Sequence, residues 1–110
     1  MGHAKVYQAV SAVVPCAHMA WPDKSAPNLP WATYEGHDDA YWADGKRIAV
    51  VHSWTVELYE KSRDRQLEEA LGASIEAAFG GYDRNESWVE SEQCLMIAYY
   101  FSEIEGEFDG

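Results

Sequence analysis

Cations are what this sequence has least of. Eight Lys and Arg stand against 19 Asp and Glu in 110 residues, a formal net charge of −11. Affinity for a phosphate backbone comes largely from cations that displace counterions, so direct high-affinity nucleic-acid binding is excluded. Cysteine is scarce as well. Cys16 and Cys94 lie far apart, which is no disulfide framework of the kind that staples small secreted domains. No run approaches the roughly 20 apolar residues that a bilayer span needs. The start, Met1-Gly2-His3-Ala4-Lys5, leads into Ala- and Val-rich sequence, but Tyr7, Gln8 and Ser11 interrupt any signal-peptide core. Val6 stands where a myristoylation motif wants Ser or Thr. Together these shortages describe a soluble cytoplasmic protein with reduced thiols and no membrane contact. A Cys16–Cys94 disulfide is open geometrically, and the compartment argues against it.

What is present suits a folded chain. The sequence is 47% hydrophobic and 14% aromatic, enough for one core at this length and too little for two. Residues 1–110 therefore form one domain, with 105–110 as a frayed acidic tail. Val6, Val10, Val13 and Val14 recur at helical spacing over residues 3–14, and Pro15 ends that helix. Cys16 to Trp21 reads as a short strand, and Pro22, Pro27 and Pro30 mark a loop. Asp44-Gly45 is a hairpin turn signal, joining a strand over residues 31–43 to the clearest strand of the protein. In that strand Ile48, Val50, His52, Trp54, Val56 and Leu58 share one face, and Val51, Ser53, Thr55, Glu57 and Tyr59 share the other. Asp64 caps a second helix through Phe79, with Leu67, Leu71, Ile75, Ala78 and Phe79 inward and Glu68, Glu69 and Glu76 toward water. Gly80-Gly81 stops it. Tyr82–Val89 and Cys94–Ile104 then form two antiparallel strands around residues 90–93. The last is apolar on both faces and belongs inside the sheet. The fold class is α+β, ordered α-β-β-β-α-β-β, a largely antiparallel sheet with two helices on one face.

Catalytic motifs are missing. The chain has no Walker loop, G-x-G-x-x-G, H-E-x-x-H or G-x-S-x-G, and the reading is not an enzyme, with no cofactor and no metal. Cys16-Ala17-His18 offers two ligands without a second pair to complete a site. His37-Asp38-Asp39 with Asp44 is oxygen-rich but lacks calcium-loop spacing, and a solvated turn is the preferred reading. His52, on an apolar strand face, reads as a histidine satisfied by a neighbour. A thiol–imidazole pair of Cys94 with His52 is the weakest of the functional readings.

Aromatic residues say more. Five tryptophans and seven tyrosines exceed what a core this small absorbs, about two or three large rings. Trp21, Trp42 and Trp88, near loops or strand ends, are expected to be at least half exposed. Partly exposed Trp and Tyr are typical anchors of protein contacts. The candidate interface set is Trp42, Asp44, Trp54 and Trp88, on the hairpin, the long strand and near the end of the fourth strand.

The run Tyr41-Trp42-Ala43-Asp44-Gly45-Lys46-Arg47-Ile48 is followed by Val56-Glu57-Leu58-Tyr59-Glu60-Lys61 and Leu67-Glu68. Ser87-Trp88-Val89-Glu90-Ser91-Glu92 then leads to Met96-Ile97-Ala98-Tyr99. With Leu29-Pro30-Trp31-Ala32-Thr33-Tyr34 ahead of them, these segments resemble small proteins coded among the head–tail and tail genes of long-tailed phages and prophages. In those proteins "ADGK", "VELYTKKKD" and "YIESE" recur in that order. The resemblance is to tail completion, or tail terminator, proteins and covers nearly the whole chain. It implies a virion assembly protein, a ring of usually six copies that ends the tail tube and joins tail to head. The implied partners are further copies of the chain, the tail tube protein and the head–tail connector proteins. The implied location is the host cytoplasm during assembly and then the virion. Glu60-Lys61-Ser62-Arg63 replaces a more basic family run. An acidic ring wall would let DNA slide through without sticking. The alternative is a small acidic binding module, or DNA mimic, that blocks a host DNA-binding protein.

Overall fold

A computed structural model describes residues 2–21 and 26–106. Helix α1 (Gly2–Ser11) leads through a turn into β1 (Cys16–His18); β2 (Trp31–Ala43) and β3 (Lys46–Glu60) form a long hairpin. Helix α2 (Arg65–Phe79), β4 (Asp83–Val89), a single 3-10 turn (Glu90–Glu92) and β5 (Cys94–Gly106) complete the chain. The five strands lie in the order β1-β2-β3-β5-β4, with only β1 parallel to its neighbour. The α+β reading, its element order and the interior place of β5 are therefore correct.

Local chemistry sets the boundaries. Asp64, extended at φ −130, accepts the Leu67 N–H at 3.1 Å and starts α2. Gly80, at φ 95, ends it by donating its N–H to the Glu76 carbonyl at 2.7 Å. Asp44 and Gly45 both take positive φ, 52 and 75, the backbone that a two-residue hairpin turn of matching twist requires. Several expected bounds shift. Helix α1 stops at Ser11, although Val14 still donates to the Val10 carbonyl. Strand β1 is three residues long, and Glu105 and Gly106 lie in β5 and not in a frayed tail. Residues 22–25 of the expected loop and 107–110 of the expected tail lie outside the described residues.

One sheet face carries the core. Val6 and Val10 of α1 and Leu71 and Ile75 of α2 pack on Trp54, Val56 and Leu58 of β3 and on Ile97, Tyr99 and Phe101 of β5. The helices are tied together where Ser74 Oγ donates to the Ala9 carbonyl at 2.6 Å. Tyr99 anchors α2 to the sheet by donating its hydroxyl to the Glu68 carbonyl at 2.7 Å. The other sheet face keeps Tyr100 and Ile104 exposed. Among the described residues no helix is long and apolar enough to cross a membrane.

Candidate interaction surfaces

The hairpin outgrows the core. Thr33 and Tyr34 are buried, but β2 is exposed from Glu35 through Ala43. Among the described residues β1 pairs β2 only at Ala32, Thr33 and Tyr34 and no other strand pairs that side, so Glu35–Ala43 is an edge there. On the other side β5 supports β3 as far as the Ala49–Gly106 rung. Beyond that rung Tyr41 pairs Ala49 and Trp42 pairs Arg47, which leaves Ile48 as the extra residue of a bulge. Ile48 thus falls out of the alternation expected to join it to Val50. The arm ends in exposed Tyr41, Trp42 and Ile48 with Lys46 and Arg47 beside the turn.

Where the arm leaves the body, His52 is clamped between carboxylates of both neighbouring strands. Its Nδ1 lies 2.6 Å from Asp38 Oδ1 and its Nε2 lies 2.9 Å from Glu105 Oε2. Hydrogen bonding to Glu105, then to Asp38, holds the imidazole above its ordinary range and favours the charged ring. His52 is therefore satisfied by neighbours, as its strand position suggests, and it clips three strands together. Next along β5, Glu103 pairs with Lys5, whose Nζ also sits 4.6 Å from the centre of the Phe79 ring.

At the other end of the hairpin is a cavity of about 700 Å³. Met19, Trp21, Leu29, Trp31, Tyr59 and Val89 give it apolar walls, and Glu57 and Glu92 are the charged side chains of its described lining. Trp31 stacks between Trp21 and Tyr59, at ring separations of 6.0 and 4.8 Å. The Tyr59 hydroxyl donates to Glu57 at 3.0 Å.

A third feature is a buried carboxyl pair where β3 hands over to α2. Glu60 is 2% exposed and Glu68 4%. Glu68 accepts from Arg84, while among the described residues neither Glu60 oxygen, nor Glu68 Oε2, has a donor. A proton on Glu60 shared with Glu68 supplies the missing partner. Burial, followed by that contact, pushes Glu60 up to about 8. Glu68 thus departs from the expected water-facing side of α2. Its inward turn is explained by Arg84 of β4 and Arg63, which neutralise it.

The candidate residues do not form one site. Trp42, 64% exposed, and Asp44 stand together at the arm tip. Trp88, 50% exposed, lies on the edge strand β4, its indole N–H donating to Glu90 at 3.0 Å. Trp54 is a correction: at 4% exposed it is core, covering Gly36 directly across the ladder. Trp21 is also a correction, being partly buried against Trp31 and not half exposed. The Cys94–His52 pair is excluded by register. Cys94 starts β5 near Glu60 and His52 pairs Glu103, roughly 30 Å along the ladder. Burial raises the Cys94 thiol, with Glu92 adding to it, and burial raises Cys16 to about 11. The two cysteines are free, three strand spacings and three residues of register apart, more than about 14 Å and beyond disulfide reach. Among the described residues no His, Cys, Asp and Glu cluster can hold a metal.

Sequence reasoning missed the carboxyl pair and the cavity. Parity was the available signal for Glu60, which continues the buried series Trp54, Val56, Leu58. The cavity had none, because it joins residues from four separate segments. Comparison with known families finds no model that matches the chain, and comparison with curated proteins finds no relative.

Proposed function

We propose that this chain is a non-enzymatic virion assembly protein of a phage or prophage, a ring-forming subunit that ends the tail tube or joins tail to head. The observation that carries the reading is the arm: a long hairpin that leaves the core and displays Trp42, Tyr41 and Ile48 to solvent. Large exposed aromatics at the end of a strand hairpin that has left the core serve contact, not stability. The order of motifs along the chain supports the same reading. So does the acidic charge of −11, which suits a ring wall past which DNA must slide. Partners are other copies, the tail tube protein and the connector proteins.

Electron microscopy of particles from the parent phage lacking this gene tests it. Overlong tails, or filled heads and tails lying apart, are expected. Normal, joined and infectious particles would overturn it in favour of an acidic protein that mimics DNA toward a host partner.

A further inference from the structure

The arm tip and the Trp21–Trp31–Tyr59 cavity sit at opposite ends of one hairpin. The Trp31–Tyr59 rung lies at one end and the Trp42–Arg47 rung at the other, roughly 35 Å apart along the ladder. A tip cannot reach the cavity of its own chain. Another copy's tip can.

We propose that the arm tip of one copy seats in this cavity of the next, so that copies join head to tail. The proposal rests on the self-assembling role argued above and names the surfaces that perform it. Charge is the first reason. The chain as a whole repels itself at −11, yet two of its few cations, Lys46 and Arg47, flank the exposed Trp42 at the tip. The described cavity lining carries Glu57 and Glu92 and no cation. Asp44 in the turn leaves the tip a net charge of +1 against −2 for Glu57 and Glu92, and these opposite signs orient the approach and disfavour tip-to-tip or cavity-to-cavity pairing. Size is the second reason. About 700 Å³ lies within the range of about 300–1,000 Å³ that accepts a large apolar group, and an indole with a flanking aliphatic side chain is such a group. Chemistry is the third. The cavity walls are indole, phenol and aliphatic surface, the surroundings that reward burial of Trp42.

A contact between two different patches is heterologous, and repetition of a heterologous contact closes into a ring or runs on as a filament. The arm therefore supplies the link, and the angle between arm and body sets how many copies close.

The test uses the full chain and sedimentation velocity. An arm variant, Lys46→Glu with Arg47→Glu, and a cavity variant, Glu57→Lys with Glu92→Lys, are each expected to lose self-association by at least about tenfold. Unchanged thermal melting shows that both fold. Mixed in equal amounts, they form both complementary contacts, native arm to native cavity and reversed arm to reversed cavity, so large assemblies of alternating variants are expected from two chains that do not assemble alone. All four substitutions in one chain restore large assemblies. Trp42→Ala gives the same loss without touching charge. The proposal is overturned by wild-type protein that stays monomeric at all concentrations, by assemblies that survive the arm variant, or by a mixture of the two variants that yields no assembly. Any of these leaves tail length in the deletion phage as the separate measure of the assembly role, so the two readings fail independently.

Discussion

At the scale of residues, two positions carry more than their sequence context suggests. Gly36 faces Trp54 so closely that a Cβ there would lie 2.3 Å from the indole. The ring fills the space that a side chain would occupy, a common rescue of a strand glycine. Gly36→Ala is expected to destabilise by about 1–3 kcal/mol, the cost of displacing the packed Trp54 ring, as read from urea denaturation; an unchanged midpoint would show that Trp54 moves freely. Glu60 is the second. Its folded pKa, about 8, lies above the ordinary 4.5, so the native state holds a proton that the unfolded chain releases. Stability is then full below the ordinary value and falls as pH rises through the folded one. Glu60→Gln keeps the shape, removes the ionisation and should raise stability at pH 8 by on the order of 1–3 kcal/mol. Equal melting curves for variant and wild type at pH 5 and 8 would contradict a shared proton.

The arm is the element with the most to lose. His52 clips it to the body through Asp38 and Glu105, and its pKa is raised by those contacts. The raised value places its contribution below the ordinary 6.5 and removes it as pH climbs through the folded pKa. Once the intrinsic base catalysis of exchange is divided out, amide exchange in Glu35–Ala43 should therefore quicken as pH rises above the ordinary 6.5. His52→Gln should show fast exchange throughout, and a variant as pH-sensitive as wild type would clear His52 of the role. At the tip, Trp42→Ala should weaken assembly by about 2 kcal/mol or more, with monomer stability unchanged. Unaltered assembly would remove Trp42 from the contact.

For the whole molecule the arm dictates shape. The extents are 50 × 28 × 22 Å with a radius of gyration of 15.7 Å, against about 13 Å for a compact chain of this length. Small-angle scattering of a monomeric arm variant should give the larger value; the smaller would mean that the arm folds back in solution. The dimension that makes the molecule long also separates tip from cavity, and Cys94 from His52.

Periodicity and punctuation determined most of the architecture by themselves. Asp64, Gly80 and Asp44-Gly45 set element ends through caps and turn geometry that act within a few residues. The alternation from Val50 to Leu58 showed one buried face, because a strand turns every second side chain the same way. The exposed Trp42 and Trp88 were legible there too. Tertiary structure decided what depends on partners distant in sequence. It put Trp54 under cover, since His3 of α1 and Gly36 meet it, and it turned Glu68 inward, since Arg63 and Arg84 meet it there. It built the cavity from loop, hairpin and β5 residues. Burial depends on which surfaces meet in space, and a local pattern says only which side of an element is available to be met.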